Sequence, residues 1–585
     1  MGHPRRAWSS LVAALRDPAR SDFAFVPHQY VFFAPAQRRA DGAPTPCETT
    51  PINGDNATPL PWQEPDAWRD GDDDAYSAQT LQRRAAFGGQ ANAFYALHLA
   101  TFGAAAVGCA WLSLFPMSPT RLYNMQVDVF NTRHSHTVFF HEQCLQLGVI
   151  LGAAVAGYLG DRLGRAGALE LASVPFVIGW LLVGVAYGEL TVLIGRYMLG
   201  AAVGLMGVSA PIYLAEINKV SSRGRALCLY ALFSALGYAV YVGLGVGVSY
   251  LSRHYPGFNL SEWKALALVG MVPGVGLLLL VQHLPDSPTW LIIQHDDRET
   301  AFAVLERLFS GSFKHAEREV NALIHADILS REDHTHHGAF FRPLLLCLAL
   351  FALRAVCSLL LEPTLMPTDG RSFVVSVLGV SLDISDHEML QVRGALWVAG
   401  VVGTLCCFVV IDSRGRVAAL QTGSTIVLVG CILNLLTMAS VRDSEAELQV
   451  TNIGLATVLL IKAGHHLGLA LTPLVLASEL FPARQRIGAM SLVFITEAAT
   501  RLAGSYALDW LRVAIPMDAA FVVSVSVVLV CNAVGALLAV FSLPETSQRS
   551  LQAIEAILSG WYPATPQLSQ SRVRLGRGSV SLYGS

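Results

Sequence analysis

Three charged motifs occur twice in the sequence, and each copy follows an apolar segment. The first motif is DRLGR from Asp161, which is matched by DSRGR from Asp412. The second is a glutamate with an arginine seven residues later, and the third is PDSP from Pro285, which is matched by PETS from Pro544. The copies are separated by 412−161=251, 479−216=263 and 544−285=259 residues. These similar offsets predict an internal repeat whose two halves carry the same charged ends.

Acidic and basic side chains in this pattern could form an ionic gate. At the ends of membrane helices, charged groups need only reach the interface to be tolerated. A partly exposed ion pair contributes about 1 kcal/mol, which suits a contact that forms when one face of the protein closes and breaks when it opens. Alternatively these residues only anchor the helix ends, but the duplicated spacing favours the gate. The predicted gate residues are Asp161, Arg162, Arg165, Glu216, Arg223, Asp412, Arg416, Glu479 and Arg486.

The composition indicates that membrane helices hold these residues. The chain has 585 residues, of which 53% are hydrophobic and 14% are charged, whereas a soluble chain carries about 25% charged residues. The formal net charge of −3 provides no basic field that would attract nucleic acid. The ten cysteines do not have the spacing of a disulfide framework or a zinc site. We therefore expect an integral membrane protein rather than a soluble enzyme or a disordered chain.

Twelve apolar runs have the length needed to cross a bilayer as a helix, which is about 20 residues. Their abundant Ala, Leu and Gly lack the alternation of a membrane strand. The sequence thus predicts an all-α membrane protein with twelve transmembrane helices in two homologous six-helix bundles. The runs lie near residues 91–115, 140–160, 167–187, 191–216, 224–250, 264–283, 342–361, 391–411, 417–440, 452–478, 487–508 and 519–543.

Polar sequence flanks and joins the two bundles. Residues 1–90 are predicted to be a disordered tail, 91–283 the first bundle, 284–341 a loop with short helices, 342–545 the second bundle and 546–585 a C-terminal tail. An even number of spans places both tails and the loop on one face. The short loops carry similar numbers of basic residues on both faces, so the orientation depends on the basic C-terminal tail, which favours the cytoplasm. The expected location is the plasma membrane.

Ionisable residues within the spans mark a candidate solute site, because such residues normally face a cavity. Glu497 and Arg501 are one helical turn apart and can pair, whereas Arg354 has no obvious partner in its own span. These charges could neutralise one another or offer an arginine to a substrate carboxylate or phosphate. His465 or His466 could relay a proton or simply pack with a hydrogen bond. The substrate-binding candidates are Arg354, His465, Glu497 and Arg501.

The duplicated motifs resemble those of the sugar-porter branch of the major facilitator superfamily. Five segments carry the resemblance: GYLGDRLGR (157–165), PIYLAEINKVSSRG (211–224), LPDSPTWL (284–291), SELFPARQR (478–486) and LPET (543–546). They are similar to the family's G-x-x-x-D-R-x-G-R, P-x-Y-x-x-E with R-G, P-E-S-P-R-W-L and C-terminal signatures. The resemblance covers about residues 90–550. It implies twelve helices and alternating access by rocking of the two bundles.

The sequence departs from the family at positions that contact sugar. Arg354 stands at the first Gln of the family's Q-Q-x-S-G-x-N run in span 7. Ala231, Leu474 and Glu497 occupy further sugar-contact positions. The family's proton-coupled members carry an Asp in the first span, and residues 91–115 contain no acid. The resemblance therefore implies a gate that is retained, a solute site that has changed, and facilitated diffusion without support for proton coupling.

Three functions remain open at this point. The resemblance implies a carrier for a sugar, a polyol or a similar neutral polar solute. The intramembrane charges suggest instead a carrier for an organic ion or zwitterion, and the lost sugar contacts suggest a non-transporting sensor, although an intact gate argues against a sensor. No motif pairs a nucleophile with a base, assembles metal ligands or cradles a phosphate. An enzyme, a cofactor, a metal site and ATP-driven transport are therefore not predicted, and the expected partners are a small solute and the lipid bilayer, without nucleic acid.

Overall fold

The protein is described here from a computed structural model, which covers most of the chain between residues 78 and 558. The described stretches are residues 78–115, 121, 124–130, 136–255, 260–309, 312–332, 337–361, 386–440, 447–515 and 517–558. Within them, twelve helices are long and apolar enough to cross a membrane, and no strand occurs. The predicted all-α architecture with twelve spans is therefore confirmed.

The first bundle contains spans 1 to 6. Their helices are Ala78–Leu114, His136–Arg162, Gly164–Gly184, Glu189–Ile217, Arg223–His254 and the pair Glu262–Val269 and Met271–Val281, which together form span 6. The helix of span 1 begins at Ala78, within the predicted N-terminal tail, but its membrane-crossing part is Ala93–Ser113, close to the predicted run at 91–115. The rest of the predicted tail lies outside the described residues. Helices suit this environment because the backbone N–H and C=O groups inside a helix bind each other and need no water.

The second bundle contains spans 7 to 12. Their helices are His337–Leu361, Asp386–Ser413, Arg416–Ser440, the pair Glu447–Leu467 and Thr472–Leu480, Arg486–Ala514 and Met517–Phe541. The pair forms span 10, which is interrupted by a turn before Pro473. Proline is tolerated there because the first turn of a helix has no intrahelical acceptor for its backbone N–H groups.

Short helices lie outside the membrane spans. They are Pro288–His295, Arg298–Leu308 and Phe313–Glu332 in the loop, and Leu551–Leu558 after span 12. The helix from Arg298 is capped by Asp297, whose side chain accepts the backbone N–H of Thr300 at 3.0 Å. The sequence beyond residue 558, which includes most of the predicted C-terminal tail, lies outside the described residues.

The two bundles pack against each other along spans 2 and 11 and along spans 5 and 8. On the second pair, the Trp397 indole N–H donates to the Ala235 carbonyl at 2.9 Å, and its ring stacks on Tyr238 with centroids 5.9 Å apart. On the first pair, the Tyr506 hydroxyl donates to Gln143 Oε1 at 2.5 Å. Spans 2 and 5 of the first bundle therefore form the interface with spans 11 and 8 of the second.

Two glycines allow equivalent turns at the start of spans 3 and 9. Gly164 has φ +81° and Gly415 has φ +105°, a backbone region that disfavours residues with a Cβ atom. An added Cβ would also collide with the carboxylate of Asp286 at the first turn and of Glu545 at the second. Asp286 Oδ1 accepts the N–H of Ala166 at 3.0 Å, and Glu545 accepts two first-turn N–H groups of span 9 at 3.0 and 3.1 Å. Both motifs therefore place an acid against the positive end of a helix.

We expect Gly164→Ala and Gly415→Ala to destabilise the protein, each by about 1–3 kcal/mol, because each forces a strained backbone and displaces the capping carboxylate. Thermal unfolding in detergent should show a lower midpoint for both variants. Gly243→Ala is the matched control, since an added Cβ there meets nothing within 4 Å. Equal midpoints for all three variants would contradict this account of the turns.

Candidate functional site

Glu216, near the end of span 4, connects the two bundles at one membrane face, which we call the gate face. Its carboxylate contacts Arg165 of its own bundle, with Nε 3.1 Å from Oε2, and Arg486 of the other bundle, with Nη1 3.0 Å from Oε1. The Ser287 hydroxyl also donates to it. The Glu216 side chain is 0% exposed. A carboxylate buried to this extent depends on its partners, because an uncompensated buried charge is strongly unfavourable.

Glu479, at the end of span 10, repeats this arrangement in the second bundle. Arg416 of the same bundle binds it through two nitrogens, at 3.2 and 2.8 Å. Arg223 of the first bundle lies 3.6 Å away, and the Thr546 hydroxyl donates at 2.6 Å. Each glutamate therefore binds one arginine of its own bundle and one arginine of the opposite bundle.

Asp412 provides a further connection across the interface. It pairs with Arg416 at 2.9 Å and accepts the backbone N–H groups of Gly224 and Arg225, at 3.2 and 2.8 Å, where span 5 of the first bundle begins. The Arg225 side chain also reaches Asp412, with Nε 3.3 Å from Oδ2. A carboxylate at a helix N-terminus is stabilised by the helix dipole. Arg225 is therefore part of this ionic network, and it was not among the predicted residues although it belongs to the same R-G-R run as Arg223.

The first copy of the DRLGR motif is more loosely engaged than the second. Asp161 is 41% exposed and lies 4.0 Å from Arg165. Arg162 lies outside the ionic network of the described residues, and its guanidinium covers the Tyr158 ring at 4.6 Å. Arg162 is the last residue of span 2, whereas Arg165 lies in span 3 beyond the turn at Gly164. Of these two, only Arg165 contacts Glu216 within the described residues, and the place of Arg162 in the gate stays a prediction. The two halves are therefore similar in sequence but not equivalent in contacts.

Asp286 makes the stability of the protein depend on pH at this face. Burial raises the pKa of its carboxyl from the ordinary 3.8 to about 6, although the Ala166 N–H and Arg165 favour the charged form. A carboxyl with a higher pKa in the folded state binds its proton more tightly there. Its stabilising contribution is therefore complete below about pH 4 and is lost as the pH rises through about 6.

We expect Asp286→Asn to weaken the pH dependence of stability. The asparagine side-chain oxygen can still accept the Ala166 N–H but does not titrate, so the unfolding midpoint of the variant should fall less than that of the wild type between pH 5 and pH 7.5. Thermal unfolding at the two pH values measures this difference. An equal fall in both proteins would show that Asp286 does not titrate in this range.

A second charged cluster lies within the second bundle and contains three of the predicted solute-site residues. Arg354 of span 7 pairs with Glu497 of span 11, with Nη1 3.3 Å from Oε2. Arg501 pairs with the same carboxylate one turn along its own helix, with Nε 3.5 Å from Oε1. The Arg354 guanidinium also lies 5.2 Å from the centroid of the Phe351 ring. The structure therefore brings together Arg354, Glu497 and Arg501, and it supplies the partner for Arg354 that its own span lacks.

His465, the fourth predicted residue, is buried beside the same span 7. Its Nε2 lies 3.3 Å from the Ser358 hydroxyl, while Nδ1 has no partner among the described residues. His466 Nδ1 lies 3.3 Å from the Thr404 hydroxyl, so the two histidines point to different helices. In the described part of the chain, no group of three His, Cys, Asp or Glu residues could hold a metal ion.

Arg196 of span 4 is a buried charge that the sequence analysis overlooked. It is 1% exposed, and its Nη2 lies 3.0 Å from Glu142 Oε2 of span 2. Its Nε and Nη1, together with His141 Nε2 and the Tyr241 hydroxyl, have no partner within the described residues. The signal was available, because an arginine interrupts the apolar run at 191–216 just as Arg354 interrupts span 7.

The comparisons with known proteins agree with this architecture. Residues 110–558 match the family described as "Sugar (and other) transporter". The chain is 25% identical to sugar transporter ERD6-like 15 of Arabidopsis thaliana over 72% of this chain and 83% of that protein. It is 35% identical to myo-inositol transporter 3A of Cryptococcus neoformans var. grubii, but over only 28% of this chain and 26% of that protein.

Among solved structures, the fold is similar to that of the major facilitator proton:xylose symporter XylE bound to 6-bromo-6-deoxy-D-glucose. The TM-score is 0.66 at 18% identity, over 80% of this chain and 99% of that one. An identity this low supports a shared fold only. The family match covers most of the chain, including both copies of the gate. This protein therefore belongs to the sugar (and other) transporter family and is a multi-pass membrane carrier, not an enzyme.

Proposed function

We propose that this carrier moves a sugar, a polyol or a similar neutral polar solute by alternating access, without coupling to an ion. The gate face is cytoplasmic in this proposal, both tails lie in the cytoplasm, and the membrane is the plasma membrane. The observation that carries the proposal is the pair of glutamates, Glu216 and Glu479, each of which binds an arginine of the opposite bundle. A contact of this kind must break whenever the bundles separate at that face.

The contacts of Glu216 suit a latch that opens repeatedly. When the bundles separate, Glu216 loses Arg486 but keeps Arg165 of its own bundle, and Ser287, which lies just after span 6 in the loop, can stay with it. The carboxylate is therefore never left without a charged partner. Water that enters can solvate the released arginine. The difference in free energy between the closed and open states is therefore small enough for solute binding to shift the equilibrium between them.

The central cluster supports a neutral solute. Glu497 contacts both Arg354 and Arg501, so the charges that suggested an ionic solute pair with one another inside the second bundle. Guanidinium N–H groups can donate to the hydroxyls of a sugar or polyol. The relatives named above are sugar and myo-inositol transporters, and we extend this class of solute to the present chain. Facilitated diffusion is proposed because the span-1 residues 93–113 contain no acid.

Uptake into proteoliposomes tests the proposal. Labelled hexoses and polyols are compared with small organic anions, cations and zwitterions at two clamped membrane potentials, with and without a pH gradient. We expect saturable uptake of a hexose or polyol that does not respond to potential or to the pH gradient. Potential-dependent uptake of an ionic solute would contradict the neutral-solute proposal, and hexose uptake driven by the pH gradient would contradict uncoupled transport.

A further inference from the structure

We propose that Cys228 and Cys407 form a redox modification site in which a peroxide joins the two bundles through a disulfide. Cys228 lies on span 5 and Cys407 on span 8, and their Sγ atoms are 3.6 Å apart. Both side chains are buried. A disulfide bond is about 2.05 Å long, so a movement of about 1.5 Å would bring the sulfurs into bonding distance.

The position of this pair ties it to the gate. Cys228 follows Gly224 and Arg225 by about one helical turn, and Cys407 precedes Asp412 by a similar distance. Asp412 binds the start of span 5 directly, so the thiols meet only while this part of the interface is closed. A bond between the sulfurs would hold the bundles in the closed arrangement that the ion pairs hold reversibly.

The oxidation follows from the opening and closing of the interface. Buried thiols are poor nucleophiles, so neither cysteine reacts while the interface is closed. When it opens, one cysteine as its thiolate attacks hydrogen peroxide, the O–O bond breaks, and a sulfenic acid forms with release of water after protonation. When the interface closes, the second thiol attacks the sulfenic sulfur, the S–O bond breaks, and a second water leaves. The two sulfurs together lose two electrons, which reduce one peroxide to two waters.

The consequence for transport rests on the proposed alternating access. A carrier whose bundles are joined next to the gate cannot open at that face. Each oxidised molecule therefore stays with the gate face closed and no longer completes the transport cycle. Uptake should then fall in proportion to the fraction of oxidised molecules. A second buried pair, Cys357 and Cys531, lies within the second bundle and provides an internal comparison, because a bond between these two cannot join the bundles.

The test uses the full chain in proteoliposomes, with a protease site introduced at residues 333–336, between the loop helices and span 7. Hydrogen peroxide is added during uptake, and the protein is then cleaved and run on a non-reducing gel. We expect the two halves to remain linked in the wild type and to separate after a membrane-permeable phosphine, which also restores uptake. Cys228→Ala and Cys407→Ala should give separate halves and peroxide-resistant uptake, whereas Cys357→Ala should behave as the wild type.

Three results would overturn the proposal: halves that never link during turnover, linked halves with unchanged uptake, or equal loss of uptake in the wild type and in the alanine variants at 228 and 407. The gel reads the bond without reference to transport. Linked halves in a protein that takes up no solute even when reduced would therefore support the thiol site and overturn the proposed carrier function. The two failures are distinguishable for this reason.

Discussion

Glu216→Gln is expected to lower the initial rate of solute uptake by about 100-fold or more. Removing one partner from a buried ion pair costs about 3–5 kcal/mol, and Glu216 holds two arginines from opposite bundles. The glutamine cannot balance Arg486, whose contact with Glu216 exists only while the gate face is closed, so the closed state is destabilised relative to the open state and the cycle stalls in the open state. Uptake into proteoliposomes at equal amounts of reconstituted protein measures the effect.

Two further variants define the meaning of this result. Glu479→Gln should have a similar effect, because Glu479 repeats the contacts of Glu216 in the second bundle. Asp296→Asn is the matched control, since Asp296 also lies 3.0 Å from an arginine but is 72% exposed, and an exposed pair contributes only about 0–1 kcal/mol. Normal uptake by both glutamine variants would show that the ion pairs do not form the gate.

Glu497→Gln is expected to reduce uptake by about 10-fold or more, because it leaves Arg354 and Arg501 facing each other without the carboxylate between them. The penalty should be smaller than at Glu216, since the two arginines are partly exposed and water can solvate them in part. The variant protein should still fold and reach the membrane. The measurement is the rate of hexose or polyol uptake at saturating solute and its half-saturating concentration.

The double variant Arg354→Gln with Glu497→Gln distinguishes pairing from independent roles. If the two side chains act mainly on each other, the double variant should recover part of the uptake lost by Glu497→Gln alone, with a coupling of about 1–2 kcal/mol. Arg354→Gln alone should change the choice of solute more than the maximal rate. Strictly additive losses would show that Arg354 and Glu497 serve separate functions.

The charged residues of the gate face could be recognised in the sequence because they stand out among apolar residues and recur at nearly constant offset. Glu216, Arg486, Glu479 and Arg223 were identified in this way, although the pattern did not reveal which arginine pairs with which glutamate. That pairing depends on how the bundles face each other. The contributions of Ser287 and Thr546 were not predictable, because hydroxyl residues are common at helix ends and carry no distinctive signal.

Other features of the site depend on tertiary contacts that cannot be recognised from a single sequence. The motifs at Asp161 and Asp412 are similar, yet only Asp412 caps a helix of the opposite bundle. The partner of Arg354 lies on another span, 143 residues away. Arg196 could have been predicted as a buried charge, since a single arginine in a long apolar run is a clear signal of one. Helix length was less predictable, because the helix of span 1 extends to Ala78 through a stretch that mixes polar and apolar residues, ahead of the membrane-crossing part Ala93–Ser113.

Opening and closing of the gate face during transport can be followed as a change in the distance between the two bundles. Ser221 and Arg414 are exposed positions on the two bundles beside the gate. A probe is attached at each position by a reaction that does not modify cysteine, and the distance between the two probes is measured. We predict one short distance without solute, a second and longer distance during transport, and mainly the longer distance in Glu216→Gln. A single short distance in a protein that is actively taking up solute would contradict the account.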